Sequence, residues 1–455
     1  MLRKQRQGGD GTPVLAEQIG QPGEAHGEVN GAQERSTQPG QGPRASRKVL
    51  NGPEWHEPAA VVVGLDSMQG LQAARILQRR GVPVIGIAAN RRSPLAHTNA
   101  CRKIIIAPTH DERLIEHLLD LGPRLGQKAV LFPSEDNSVQ LVSRNRQLLA
   151  PYYHVLLPSE EVVETLMDKV RFAIFAQQHG LPIPTTWIVE DERDLEVASR
   201  EANYPCLLKP RSSSADRWEC RTMHKAFKVH SPEQLASVYR QCRAWTDCVL
   251  VQEWIDGSDA DLYSCNCYFD AQGEPLVTFV AKKIRQWPPE TGISSLGEEC
   301  RNDTVLNETI RLFRLVRYHG LGYLEMKQDR RSGRYLIVEP NIGRPTGRSA
   351  IAEAGGVELL YTAYCDALQR PLPANRQQQY RGVKWVHLRK DLQSAFCYWR
   401  RGELTLRQWR RSLRGKKAYA LASWRDPWPF LGDLGSAFLS AFSPRKRKAR
   451  SLPPS

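Results

Sequence analysis

No apolar run in the 455-residue chain approaches the roughly 18–20 residues that a membrane-spanning helix needs. The N-terminus, Met1-Leu-Arg-Lys-Gln-Arg6, leads into Gly, Asp and Gln rather than an apolar stretch, so no secretory signal is expected and a cytoplasmic location is. The ten cysteines lack the spacing of zinc or redox motifs. Cys265 and Cys267 alternate with Tyr263 and Phe269, so they share a strand face, and buried free thiols are expected. No internal repeat occurs. A net positive charge is also missing from most of the chain, although the total is +15. Residues 1–58 carry 7 basic and 7 acidic side chains, and residues 59–375 carry 38 of each. Residues 376–455 carry 19 basic and 4 acidic, the whole excess. A neutral main body argues against a nucleic-acid grip there.

What is present divides into four stretches. Residues 1–57 are rich in Gly, Gln, Pro, Glu and Ser without periodicity, a composition that cannot offset the entropy of ordering; a disordered tail is expected. Residues 58–158 alternate strand and helix: Ala59–Val63, a helix through Leu71, Ala74, Ile76 and Leu77, Val82–Ala88, Leu114–Leu121, Ala129–Pro133 and Val139–Leu149. The first turn, Gly64-Leu-Asp-Ser67-Met-Gln-Gly70, stands where nucleotide-binding units hold phosphates but lacks GxGxxG spacing. A purely structural turn is the plainer reading. Residues 159–375 alternate apolar and polar in most strands, which predicts antiparallel sheets with one covered face. Residues 376–455 form a basic appendage.

The strongest chemical signal runs from Gly322 to Asn341. It predicts a hairpin around Arg331-Ser332-Gly333, with Gly333 left-handed. Symmetry about Ser332 pairs Arg330 with Arg334 and sets Glu325 opposite Glu339. Facing carboxylates destabilise a ladder unless something positive lies between them. Asn341 projects from the same face as Glu339, and two carboxylates with an amide oxygen suit Mg²⁺. Two solvated surface acids are the bland alternative, against which the apolar strand context argues. Upstream, Lys209 ends an apolar strand and precedes the small-residue loop of Ser212, Ser213 and Ser214, whose amides and hydroxyls could cradle phosphates. Lys169 stands in a first helical turn, where a cation opposes the helix dipole unless an anion binds.

In this order the segments resemble the ATP-grasp superfamily, and within it carboxylate–amine ligases of the D-aspartate ligase type. The resemblance covers about 59–375 and rests on Met167-Asp-Lys169 through Thr185, Leu208-Lys209-Pro210, Val251-Gln-Glu253-Trp254-Ile255-Asp-Gly257, Lys282-Lys283-Ile-Arg285 and the Glu325/Glu339/Asn341 hairpin. It implies an α/β pre-ATP-grasp domain, Rossmann-like, followed by an α+β ATP-grasp domain. It implies ATP and Mg²⁺, with Mn²⁺ as the alternative metal. By the same resemblance Lys169 and Lys209 contact ATP phosphates under the Ser212–Ser214 loop, Glu253, Trp254 and Ile255 hold the adenine, and Asp261 takes the ribose. Lys282 or Lys283 adds a phosphate contact, Arg285 binds the acyl phosphate or substrate carboxylate, and Glu325, Glu339 and Asn341 bind metal. Many relatives have Glu-x-Asn-Pro-Arg; here Glu339-Pro-Asn-Ile-Gly-Arg344 moves the catalytic arginine one position along. The implied reaction activates a carboxylate as an acyl phosphate that an amine captures, the partners being small molecules such as an amino acid or cell-envelope precursor. An NAD(P)-dependent oxidoreductase and a non-catalytic nucleotide-binding regulator are the alternatives.

In the appendage, Arg407, Arg410, Arg411 and Arg414 fall on one helical face and Leu406, Trp409 and Leu413 on another. Five tryptophans, Trp385 to Trp428, interleave the arginines, and an apolar stretch runs into Arg445-Lys-Arg-Lys448. This suits peripheral adsorption to an anionic membrane surface, at about 1 kcal/mol per basic residue near it. A solvated basic face, or an acidic protein or nucleic-acid partner, is the competing expectation.

Overall fold

In the computed structural model, the structure describes residues 57–442 except 212–225, 245 and 291. The expected N-terminal tail therefore lies outside the described residues but for Glu57, as do Ser212, Ser213 and Ser214 and the final basic cluster.

Three sheets organise the described residues. The first contains β1 (Ala60–Val63), β2 (Val84–Ala88), β3 (Lys103–Ile106), β4 (Ala129–Pro133) and β5 (Tyr153–Val155), parallel throughout in the order β3-β2-β1-β4-β5. β1, β2 and β4 are buried along their whole length, which explains continuous apolar runs instead of alternation. The Ser67 hydroxyl caps the Met68–Arg79 helix by accepting from the Gly70 amide at 3.1 Å. A Cβ on Gly70 would lie 2.2 Å from the Gly64 carbonyl oxygen. The glycines of this turn thus serve close packing of the chain on itself.

The second sheet is small and antiparallel: β6 (Thr186–Val189), β7 (Cys206–Pro210), β8 (Phe227–Val229) and β9 (Val249–Glu253), in the order β6-β9-β7-β8. The third has seven strands, β10 (Leu262–Phe269), β11 (Pro275–Trp287), β12 (Ile293–Glu299), β13 (Gly320–Gln328), β14 (Tyr335–Ile342), β15 (Lys384–Val386) and β16 (Lys417–Tyr419), in the order β14-β13-β10-β11-β12-β15-β16. Only β15 and β16 pair in parallel within it. One face of β10 and β13, with Cys265, Cys267, Leu324 and Met326, joins Val61, Val63 and Leu131 of the first sheet in a continuous core. Nine cysteines are free among the described residues, and burial pushes the Cys265 thiol up to about 12, leaving it unreactive at neutral pH.

Residues 160–178 form two helices, Glu160–Met167 and Lys169–Gln178, because Asp168 leaves the helical conformation and caps the second through the amides of Val170 and Arg171, which puts Lys169 in a first turn as expected. A larger correction concerns residues 376–455. Their described part, residues 376–442, is not a free appendage. β15 adds to β12 by pairing Leu296 with Val386 and Glu298 with Lys384, and Trp385 is buried there. Asp426 reaches the segment around the first sheet, where it accepts from Arg75 Nε at 2.8 Å, Thr98 Oγ1 at 2.5 Å and the Asn99 amide at 2.9 Å. Charge alone suggested an appendage because it does not show which acids are consumed in internal pairs.

Candidate active site

β13 and β14 bring the two carboxylates together. Glu325 stands directly opposite Glu339, and Tyr323 opposite Asn341. The register expected from symmetry about Ser332 holds at those two pairs but not at the turn. A bulge after Glu325 shifts the remaining ladder by one residue, so Gln328 faces Tyr335 and the Asp329 amide donates to the Arg334 carbonyl. Arg330 and Arg334 are therefore not partners. Gly333 is left-handed, at φ 71°.

Positive groups surround this pair. Lys283 Nζ lies 3.4 Å from Glu325 Oε2, and Arg348 Nη2 lies 3.9 Å from Glu325 Oε1. Arg348 is buried and donates to Ser264 Oγ at 2.9 Å, while its Nη1 has no partner among the described residues. Lys209, on β7 of the small sheet, donates to Gln252 Oε1 at 2.7 Å, and Gln252 in turn donates to Thr186 Oγ1 at 2.9 Å. Burial pushes the Lys209 ammonium down to about 8; the charge of Glu339 opposes this and that of Lys169 adds to it. Glu339 and the two lysines, from three separate segments, thus share one electrostatic environment.

Asn341 is buried and donates to Glu339 Oε1 at 3.4 Å. Its oxygen accepts from Arg344 Nη2 at 2.7 Å. Arg344 also donates to the Tyr323 hydroxyl at 2.8 Å and to Asp136 Oδ1 at 2.5 Å. Burial works against its charge, yet Tyr323 and Asp136 hold it above its ordinary value. Among the described residues no cluster of three or more His, Cys, Asp or Glu side chains forms a metal site. Two facing carboxylates and a carbonyl oxygen with a second lone pair still fit a hard divalent cation that takes its remaining ligands from phosphates and water.

Two expected site residues are placed elsewhere. Strand alternation turns Lys282 to the face opposite Lys283, where it lies 3.8 Å from Glu298. A bulge separates Lys283 from Arg285. Arg285 donates through Nε and Nη2 to Asp391 at 2.9 and 3.1 Å and through Nη1 to Ser412. With both partners of that pair nearly fully buried, its guanidinium is committed, and the substrate-carboxylate role does not fit it.

The adenine and ribose candidates lie at the end of β9 and just beyond. Glu253 accepts from Thr185 Oγ1 and Asn203 Nδ2, at 2.8 and 2.6 Å. The Trp254 ring carries Lys228 at 3.9 Å and Lys327 at 5.0 Å from its centroid, and the Ile255 carbonyl accepts from Lys327. Asp261 accepts from the Ser258 amide and hydroxyl and from Arg330. Sequence reasoning missed Arg348, Tyr323, Gln252 and Asp136. Tyr323 had a signal, lying two residues before Glu325 on the same strand face. Asp136 had none, since it opens the Asp136–Arg144 helix, far from the hairpin in sequence.

Comparison with solved structures decides the architecture. The chain superposes on N5-carboxyaminoimidazole ribonucleotide synthetase in its ADP complex with a TM-score of 0.55 at 16% identity, over 72% of this chain and 81% of that one. The chain has the ATP-grasp fold. A second ATP-grasp neighbour is the biotin carboxylase domain of Hydrogenobacter thermophilus 2-oxoglutarate carboxylase, solved with MgADP, ADP and bicarbonate, at TM-score 0.55 and 14% identity over 70% of this chain and 71% of that one. In sequence, the ATP-grasp chain is similar to the D-aspartate ligase of Enterococcus faecium (strain Aus0004), 23% identical over 319 residues, which are 66% of this chain and 74% of that enzyme. It is also similar to the D-alanine–D-alanine ligase of Pseudomonas entomophila (strain L48), 26% identical over 183 residues, 38% of this chain and 54% of that enzyme. It thus spans about half the length of the latter relative. No family model matches the chain.

Proposed function

We propose that the protein is an ATP- and Mg²⁺-dependent carboxylate–amine ligase, with residues 58–158 as its pre-ATP-grasp domain and 159–375 as its ATP-grasp domain. The observation that carries this reading is the in-register Glu325/Glu339 pair ringed by Lys283, Arg348 and Lys209. Two carboxylates held face to face against their repulsion make sense as a metal site, and the cations around them as phosphate contacts. Glu325, Glu339 and the Asn341 oxygen would hold the metal, which supplies neutralisation of phosphate charge when bound. Lys169 and Lys209 contact the nucleotide's phosphates. Glu253, Trp254 and Ile255 hold the base and Asp261 the ribose. Lys283 and Arg348 face the charge that develops as a substrate carboxylate displaces ADP from the γ-phosphorus. Arg344, fixed by Tyr323 and Asp136, orients Asn341. The amine attacks the acyl carbon of the acyl phosphate so formed, the amide C–N bond forms as phosphate leaves and the nitrogen loses a proton, and no enzyme nucleophile is required. The substrates are small-molecule carboxylates and amines, amino acids or a cell-envelope precursor. Residues 376–455 are proposed to bring the enzyme to an anionic membrane surface.

Purified protein supplied with ATP, Mg²⁺ and a mixture of D- and L-amino acids tests the reading. ADP and phosphate are expected in equal amounts with a ligated product visible by mass spectrometry. Nucleotide binding without ADP release in any mixture would favour a regulatory role.

Lys209 gives a pH signature. Its ammonium contacts phosphate only when protonated, and its value lies near 8 instead of the ordinary 10.5. The KM for ATP is expected to rise above about pH 8, approaching tenfold per unit. Lys209→Met should raise KM at pH 7 and flatten that slope; an unchanged profile would remove Lys209 from the phosphate contacts.

A further inference from the structure

Membrane docking can be assigned to a particular face. The Leu388–Arg400 helix turns Asp391, Ser394 and Ala395 inward, where Asp391 holds Arg285 and the Ser394 hydroxyl donates to the Gln286 carbonyl at 2.9 Å. The orientation of the helix is fixed by those contacts. Its outer face then presents Leu388, Leu392, Phe396 and Trp399, spaced i, i+4, i+8 and i+11, and the last three are each more than half exposed. A helix on a water-facing surface ordinarily carries its polar residues there. The Trp428–Phe442 helix, tied to the first by Arg389 and Asp433 at 2.6 Å, adds exposed Trp428 and Leu431, and Trp424 just before it is fully exposed. Exposed apolar area of this extent marks a docking surface.

The surrounding charge identifies the occupant. Of the four acids in 376–455, Asp391, Asp426 and Asp433 are consumed by Arg285, Arg75 and Arg389, leaving Glu403 as the one exposed acid. Arg407, Arg410, Arg414 and Arg425 remain exposed. The fold therefore withdraws negative charge from this side and leaves apolar rings among arginines. A second copy would bring the same positive charge and repel. Single-stranded nucleic acid would need stacking platforms, but the stripe begins with two leucines. An anionic bilayer matches both features, accepting the rings at its acyl boundary and the arginines at its headgroups.

We propose that the outer face of the Leu388–Arg400 helix, with Trp424 and Trp428, docks the enzyme on an anionic lipid bilayer. The proposal rests on the membrane reading above and gives it a defined face; it does not rest on the ligase reading, because vesicle binding is scored apart from turnover. Full-length protein is sedimented with phosphatidylcholine vesicles, with and without phosphatidylglycerol. Pelleting only with the anionic vesicles is expected, and Leu392→Glu/Phe396→Glu should lower partitioning by at least about tenfold. The far-UV circular dichroism spectrum and thermal unfolding midpoint should not change, which reports that the variant is folded whether or not the protein turns over ATP. Brominated lipid should quench tryptophan emission of the unmodified protein, less so after Trp399→Phe. Equal pelleting of wild type and double variant, no quenching by brominated lipid, or no pelleting at all would overturn the proposal. So would a dimer that the double variant converts to a monomer without any vesicle binding.

Discussion

Glu339→Ala is expected to lower ADP formation on the order of 10³-fold, while leaving the protein as stable as before or slightly more so. The two effects have opposite causes. Glu339 is exposed on β14, so its removal leaves no cavity. Directly across the ladder stands Glu325, and relieving that like-charge pair is worth roughly 0.2–1 kcal/mol in favour of the fold. The lost rate reflects a metal site reduced to one carboxylate and an amide, with the phosphate charge no longer neutralised as it moves. Glu339→Gln should behave similarly, because an amide oxygen keeps the shape but not the charge. Thermal unfolding beside a coupled ADP assay checks both halves. Unchanged turnover would remove Glu339 from the metal site. A loss of activity matched by a loss of stability would show only that the hairpin had been damaged.

Asp426→Ala should destabilise the protein by about 3 kcal/mol, at the lower end of the cost of breaking a buried ion pair. Arg75 and Asp426 are both almost wholly buried, on segments separated by 351 residues. Removing the carboxylate leaves the guanidinium buried without its counter-charge and deprives the Thr98 hydroxyl and Asn99 amide of their acceptor. Arg75 keeps bonds to the carbonyls of Leu421 and Asp426 and a long one to Ala420, which limits the cost. Replacing both partners, Arg75→Met with Asp426→Leu, should recover much of the loss. Urea unfolding measures this. A change under about 0.5 kcal/mol would mean that the C-terminal segment contributes little to holding the body together.

Three strands of the first sheet, β1, β2 and β4, were legible because they are unbroken apolar runs, whereas the half-exposed β3 and the mixed Tyr153–Val155 strand were not. Ala129–Pro133 agrees residue for residue, and Val82–Ala88 is longer than the observed strand by two. The Glu325/Glu339 pair was legible for a less direct reason. The turn was placed symmetrically about Ser332, and the bulge after Glu325 absorbs one residue, so the ladder returns to that symmetry where the carboxylates stand. A bulge leaves no pattern in a single sequence, and the same blindness misdirected Arg285, which another bulge separates from Lys283. Lys282 and Lys283 could have been told apart, since alternation from Val280 and Ala281 fixes which lysine shares a face with Glu325. The C-terminal segment was misjudged on two counts. β15 and β16 have three residues each, too few to show a period. Its acids look isolated in sequence, whereas their partners Arg75 and Arg285 lie more than 100 residues away.

Phosphoryl transfer from ATP to a substrate carboxylate is the centre of this account, and oxygen-isotope transfer tests it most directly. The protein is supplied with ATP, Mg²⁺ and a mixture of amino acids labelled with ¹⁸O in their carboxylates, and the released phosphate is analysed by mass spectrometry. An acyl phosphate requires the attacking carboxylate oxygen to leave with the phosphorus when the amine captures the acyl group. One ¹⁸O per phosphate is therefore predicted for each product formed. Product formation with unlabelled phosphate, or with the label in AMP, would contradict it.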